Sequence, residues 1–139
     1  MNRAELQKMA EKRIEDAKAL LEGGRWEFAY YAAGYAVECA LKSCLLTRMV
    51  HTGWVFEEKW QAKDCLTHDF RELIRLAGLK AEHDNLSATN ATFVVNWGTV
   101  AQWKVTSRYE SKSEQQAGEL YAAIADDPDG VLQWIRTYW

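Results

Sequence analysis

Three histidines, His51, His68 and His83, are the side chains of this 139-residue sequence best able to transfer protons near neutral pH. An imidazole can accept a proton from a reacting group and so act as a general base. His68 is a candidate general base on this ground. It stands at the start of a predicted helix, however, where a histidine more often lies on the surface or caps the helix, and we favour that interpretation.

Glu38 and Lys42 lie in the most apolar part of the sequence. A carboxylate in such surroundings needs a partner, because an isolated buried charge is very costly. Lys42 follows one helical turn later, in the favourable order for an ion pair worth roughly a few tenths of a kcal/mol. Arg108, from elsewhere in the chain, could serve instead. Neither partner requires a functional role.

Arg108 and Tyr109 fall in a predicted loop. Arg108 could bind a phosphate of a nucleotide or of RNA, or it could anchor its loop to a carboxylate or to the carbonyls at a helix end, and we favour the anchor. Arg71, Arg75 and Lys80 could form a small anion-binding face, although a solvated charged face is the commoner outcome. The candidate ligand-binding or partner-binding residues are Glu38, Lys42, His68, Asp69, Arg108 and Tyr109.

Several kinds of chemistry have no support in the sequence. Cys39, Cys44 and Cys65 form no CxxC pair and have no suitably spaced histidine, so we expect neither a disulfide nor a metal site. No phosphate-binding glycine loop is present, and we expect no cofactor. The formal net charge of −3 gives no general attraction to nucleic acid or acidic membranes. The sequence has neither a signal peptide nor a membrane-spanning apolar run, so we expect a cytoplasmic protein.

Two long helices must position the central candidates. Apolar residues recur at steps of three and four over residues 3–22, which predicts an amphipathic helix that Gly23-Gly24 ends. Residues 26–48 predict a second helix that is apolar on opposite faces, so it is either the centre of a bundle or part of a subunit interface. The side chains expected near the seam of a homodimer are Phe28, Tyr31, Tyr35 and Leu46.

The rest of the chain also favours helices. Residues 51–63 suggest a loop that Trp54, Phe56 and Trp60 pack down, and residues 68–79 a helix capped by Thr67. Residues 86–103 follow the helical period despite their Thr and Val content. A helix over residues 113–125 and a last one opened by Pro128 complete the chain. We expect one all-α domain over residues 1–139, an up-and-down antiparallel bundle of five or six helices.

Short segments in a particular order carry a family resemblance. They are RIEDA at residues 13–17, Leu20-Leu21, Gly24, Trp26, YAVECALK at residues 35–42, THDF at residues 67–70 with Leu73, Trp103, SRY at residues 107–109, Ala117, Leu120 and Trp134-Ile135. Their order and spacing resemble those of HEPN domains, which are small helical bundles. The resemblance implies a bundle that is commonly dimeric through its long helices and is often encoded beside a minimal nucleotidyltransferase.

The resemblance also implies one of two functional types. Some HEPN domains are metal-independent ribonucleases whose catalytic Arg and His are separated by four to six residues, and others lack the pair and serve as binding or scaffold domains. In this chain Arg48 is too close to His51, Arg75 is one residue too far from His83, and no histidine follows Arg108.

We therefore expect a non-catalytic interaction module, a homodimer that partners a nucleotidyltransferase or binds a nucleotide or RNA. The alternative is a ribonuclease toxin, of a toxin–antitoxin pair, in which folding brings His68 and Arg108 together.

Overall fold

The computed structural model describes residues 1–52 and 65–139, and within them the chain forms seven α-helices, one 3-10 helix and no strand. The all-α class is confirmed, and the chain divides into more helices than the five or six expected. In order, they are α1 (Arg3–Glu22), α2 (Trp26–Thr52), α3 (Phe70–Leu76), α4 (Lys80–Thr89), α5 (Ala91–Val100), the 3-10 helix (Val105–Tyr109), α6 (Glu114–Ala125) and α7 (Val131–Arg136).

The helices α1 and α2 form an antiparallel hairpin. As predicted, α1 ends at Glu22 and α2 begins at Trp26. Asn2 caps α1, since its side chain accepts a hydrogen bond from the Glu5 amide while the Glu5 carboxylate accepts one from the Asn2 amide. At the other end, Gly24 has a φ of 74°, a left-handed conformation that favours glycine. The buried face of α1 packs along α2 and consists of Leu6, Ala10, Ile14 and Ala17.

Helix α2 is the centre of the bundle. It contacts α1, α3, the 3-10 helix, α6 and α7, so its two apolar faces are both largely covered by other helices. Small side chains such as Ala33, Ala36 and Ala40 are fully buried there and allow neighbouring helices to approach. The helix continues to Thr52, so the first two residues of the predicted 51–63 loop are helical. Residues 53–63, with Trp54, Phe56 and Trp60, lie outside the described residues.

The predicted helix over residues 68–79 is shorter than expected and is capped by a different residue. Helix α3 spans only Phe70–Leu76, and its cap is Asp69, whose Oδ1 accepts a hydrogen bond from the Glu72 amide at 3.0 Å. Thr67 was the wrong cap, because its hydroxyl accepts from the Asp69 amide instead. The chain then turns at Gly78, which has a φ of 73°.

Asn90 divides the region in which one helix was predicted. Its backbone is extended and its side chain accepts a hydrogen bond from the Phe93 amide, so α4 ends and α5 begins there. The expected opening of the last helix by Pro128 is wrong as well. Pro128 lies in the preceding turn, and α7 begins at Val131 after the N-cap Gly130. At Gly130 a Cβ atom would lie 2.4 Å from the Asp126 carbonyl oxygen.

The buried apolar residues of α1, α2, α3, α5, α6 and α7 form one hydrophobic cluster. Phe93, Leu41, Leu73 and Leu120 are among its largest fully buried side chains. Across residues 1–52 and 65–139, no helix combines the length and the apolar character needed to cross a membrane.

Candidate functional site

Glu38, Lys42 and His68 form one polar cluster on the surface of α2. The Glu38 side chain is almost fully buried, and its Oε1 accepts a hydrogen bond from Lys42 Nζ at 2.8 Å. The same oxygen lies 2.9 Å from Nδ1 of His68, which precedes α3. The ion pair with Lys42 follows from the helical spacing, as predicted. The second partner is His68, a residue 30 positions away, and not Arg108.

The contact with Glu38 orients the His68 imidazole. When Glu38 is ionised it can only accept, so Nδ1 carries the proton and Nε2 remains for other partners. The His68 side chain is 50% exposed, whereas the second oxygen of Glu38, Oε2, is buried without a hydrogen-bond partner in the described part of the chain. A carboxylate that holds an exposed imidazole is an arrangement suited to proton transfer or to anion binding.

His68 and Asp69 also line a surface pocket of about 350 Å³ between α3 and the segment that follows α5. The side chain of Asp69 is engaged as the cap of α3. The remaining lining residues are Phe70, Arg71, Ala101, Trp103, Lys104, Val105 and Thr106.

Arg108 and Tyr109 lie at the end of the 3-10 helix and are both exposed. The guanidinium carbon of Arg108 lies 5.0 Å from the centroid of the Tyr109 ring. The phenol of Tyr109, and to a smaller extent that of Tyr31, raises the pKa of Arg108 above its usual value. The expected anchor was wrong: Arg108 lies over the Tyr109 ring and forms no ion pair with a described carboxylate.

His68 and Arg108 therefore have different partners. His68 is bound to Glu38, Arg108 lies on Tyr109, and no hydrogen bond joins His68 to Arg108 in the described residues. Arg108 does not line the pocket beside His68. Direct contact between the two side chains is thus not among the interactions of the described residues.

Three aromatic side chains form a row along the outer side of α2, which we call the aromatic row: Phe28, Tyr31 and Tyr35. The ring centroids of Phe28 and Tyr31 are 5.8 Å apart, and Tyr31 and Tyr35 stack almost in parallel at 6.1 Å. Phe28 is 61% exposed, whereas burial against α1 raises the pKa of Tyr35. Leu46 is half-buried against the core and lies beyond the row.

Trp103 and Gly34 connect the aromatic row to the pocket, and sequence reasoning gave neither a role in the site. The Trp103 ring stacks on Phe70 at 5.1 Å and lies 5.9 Å from Tyr31. It packs so closely on α2 that a Cβ at Gly34 would lie 2.2 Å from the ring. A glycine in the middle of a strongly apolar helix was the available signal, since helices disfavour glycine without a packing reason.

The predicted cation face on α3 and α4 is mostly neutralised. Arg75 is paired with Glu72, and Lys80 Nζ lies 2.6 Å from Asp84 Oδ2. Arg71 has no ion pair or side-chain hydrogen bond with a described residue and lines the pocket beside His68. Arg71 also lines a second pocket, of about 440 Å³, together with Arg75 and Lys80, so the three cations do lie on one face.

The described cysteines offer no reactive thiolate in the core. Burial raises the pKa of the Cys39 thiol to about 11 and that of Cys44 to about 12, so both stay protonated near neutral pH. Within residues 1–52 and 65–139, no group of three or more His, Cys, Asp or Glu side chains is placed to hold a metal ion.

Comparison with known proteins identifies the bundle. The model of the HEPN domain family matches residues 4–125 of the 139-residue chain. The matched region runs from α1 to the end of α6 and contains Glu38, His68 and Arg108. No curated protein and no solved structure matches. Because the family model covers most of the chain, and its segments form the helices that the resemblance implied, this protein belongs to the HEPN domain family.

Proposed function

We propose that this HEPN domain is a non-catalytic interaction module that associates as a homodimer through the outer side of α2. The observation that carries the proposal is the aromatic row, which leaves Phe28 61% exposed beside the half-buried Tyr31 and Tyr35. Exposed clusters of aromatic side chains mark association sites, because their burial removes a large apolar area from water.

A groove beside the aromatic row also makes this side of α2 suitable for association. It has a volume of about 500 Å³, lies between α1 and α2, and is lined by apolar Leu20, Phe28 and Tyr31 together with Arg13 and Arg25. Identical surfaces meet most simply about a two-fold axis, where each copy offers both the row and the groove. The implied dimerisation of HEPN domains through their long helices agrees with this arrangement.

The non-catalytic part of the proposal is supported by the missing Arg–His pair of the ribonuclease members and by the different partners of His68 and Arg108. His68 is bound to Glu38, Arg108 lies on Tyr109, and no hydrogen bond joins the two in the described residues. The resemblance supports a nucleotidyltransferase as a further partner, or a nucleotide or RNA as the ligand. Exposed Arg108 and Tyr109 are available for such a contact, since both lie outside the core.

Sedimentation at micromolar concentration tests the proposal. We expect a dimer for the unmodified chain and a monomer for Tyr35→Glu, because a carboxylate at the seam would be buried without a partner. A clean monomer whose sedimentation Tyr35→Glu leaves unchanged would show that this side of α2 serves only the subunit's own packing.

A second candidate function is a ribonuclease toxin whose catalytic residues differ from the Arg–His motif of the family. The Glu38–His68 contact favours this candidate. A carboxylate-bound, half-exposed imidazole is able to act as a general acid or base. We expect no cleavage of RNA above background, with or without added metal. Cleavage that His68→Ala abolishes, in protein purified identically, would establish the ribonuclease and reject the non-catalytic proposal.

A further inference from the structure

We propose that the pocket beside His68 binds a small organic molecule through a phosphomonoester group. This pocket, called the His68 pocket below, lies between the start of α3 and the segment that leads from α5 into the 3-10 helix. The inference goes beyond dimerisation and does not depend on it. The residues of the His68 pocket that could bind an anion are His68, Arg71, Lys104 and Thr106.

Two unpaired cations give the pocket its charge. Arg71 and Lys104 are exposed, come from separate elements, and form no ion pair or side-chain hydrogen bond with a described residue. Their neighbours differ, since Arg75 is paired with Glu72 and Lys80 with Asp84. The chain as a whole carries a net charge of −3, so this local excess is not a general property of its surface.

The nearby carboxylates are already engaged. Asp69 Oδ1 accepts the Glu72 amide as the cap of α3, and Glu38 accepts from Lys42 and contacts His68. Neither Arg71 nor Lys104 forms an ion pair with a described carboxylate, and the two cations outnumber Asp69, the carboxylate that lines the pocket with them. An anion that enters the pocket would supply the missing charge, and a guanidinium is well suited to bind two of its oxygens.

Further polar groups favour a phosphomonoester over a monoanion. The contact of Nδ1 with Glu38 leaves His68 Nε2 for a ligand, and the Thr106 hydroxyl has no hydrogen bond with a described residue. A phosphomonoester carries a charge of about −1.5 to −2 at pH 7 and three strong acceptor oxygens. Its charge and acceptors match two cations and two further hydrogen-bonding groups better than a carboxylate does.

The remaining walls favour a small organic body on the phosphate. Phe70 and Trp103 stack in parallel and are each only 4% exposed, and the half-buried Val105 and Ala101 add aliphatic surface beside them. The volume of about 350 Å³ is near the lower end for small-molecule sites, which accommodates one ring with its phosphate. A bound ring would pack on this apolar wall while the phosphate contacts Arg71 and Lys104.

Phenyl phosphate is the probe for this site. Phenyl sulfate is the control ligand, because it has a similar shape but carries only one negative charge. We expect phenyl phosphate to bind at low salt and to shift the amide NMR signals of Arg71, Lys104 and Thr106. Inorganic phosphate should bind more weakly because it lacks the ring.

The double variant Arg71→Gln/Lys104→Gln should weaken binding by about tenfold or more, since hydrogen bonds to charged groups are the stronger ones. Both residues are exposed and form no ion pair with a described residue, so the double variant should fold, which its thermal unfolding checks.

Lys80→Gln is the matched control, because Lys80 is a paired cation on the neighbouring α4, and it should leave affinity unchanged. Equal binding of phenyl sulfate, equal binding of inorganic phosphate, or unchanged affinity in the double variant would each overturn the proposal. Adenosine 5′-monophosphate distinguishes two classes of ligand. If it binds more tightly than phenyl phosphate, the ligand is a nucleotide; if the two bind equally, the ligand is a simpler phosphomonoester. Sedimentation of the double variant keeps this result separate from the dimer, which it should leave intact.

Discussion

His83 is a half-buried imidazole enclosed by the edges of three aromatic rings. Its ring centroid lies 5.6 Å from that of Phe93, 4.6 Å from that of Trp97 and 5.5 Å from that of Trp134. Its Nε2 is buried without a hydrogen-bond partner in the described residues. Burial lowers the pKa of His83, and the Asp84 carboxylate opposes that shift. The folded protein therefore holds His83 in its neutral form more strongly than the unfolded chain does.

This lowered pKa predicts a loss of stability in mild acid. The unfolded chain takes up a proton at His83 near its ordinary pKa of 6.5, before the folded chain does, so the free energy of unfolding should fall as the pH drops below that value. Above it, the contribution is fully present. Urea unfolding between pH 7.5 and 5 measures the slope, which His83→Gln should flatten. Asp84→Asn should steepen it, because the opposing carboxylate is lost. An identical slope in wild type and His83→Gln would contradict the prediction.

The sequence predicted residue contacts only where the partners are close along the chain. Lys42 could be assigned to Glu38 because one helical turn separates them. His68 could not, because the contact depends on how α3 packs on α2. Arg108 shows the same limit: a carboxylate or a helix-end carbonyl was expected, but its neighbours are the ring of Tyr109 and the phenol groups of Tyr109 and Tyr31.

Among the elements, the packing of Trp103 on α2 depends on Gly34. An alanine Cβ at this position would lie 2.2 Å from the Trp103 ring, and the stack on Phe70 leaves the ring little room to move. We expect Gly34→Ala to lower the free energy of unfolding by about 1–3 kcal/mol, as overpacking does. Chemical denaturation gives the value.

Gly98→Ala is the matched control in a different helix. A Cβ at Gly98 in α5 would have no neighbour within 4 Å, so the change should raise stability by about 0.5–1 kcal/mol through helix propensity alone. The variant Trp103→Leu should make Gly34→Ala less costly, because the smaller side chain leaves room. If Gly34→Ala is neutral in the wild-type background, the close packing of Trp103 is not required for stability.

Element bounds were predictable where a local stop signal coincided with the end of a periodic pattern. Gly23-Gly24 follows the last apolar step of α1, and the helix ends there as predicted. Asn90 is different, because the helical period continues through it from α4 into α5 and conceals the break. The end of α3 was hidden for a related reason, since the turn at Gly78 lies within the predicted helix.

For the whole molecule, two apolar residues that are exposed on different helices allow a controlled test of the dimer surface. Phe28 on α2 is 61% exposed and Val95 on α5 is 69% exposed, so a charge at either position should leave the subunit folded. Phe28 belongs to the aromatic row and borders the groove between α1 and α2, whereas Val95 is neither in the row nor in that groove.

We expect Phe28→Glu to weaken self-association by about tenfold or more, because a charge buried at a two-fold seam meets its own copy without a counter-ion. Val95→Glu adds the same charge and should leave association unchanged, which separates a specific seam from a general effect of net charge. Sedimentation velocity over a dilution series measures both, and circular dichroism confirms that each variant folds. If Val95→Glu dissociates the dimer and Phe28→Glu does not, the copies meet through α5, and the aromatic row has some other partner.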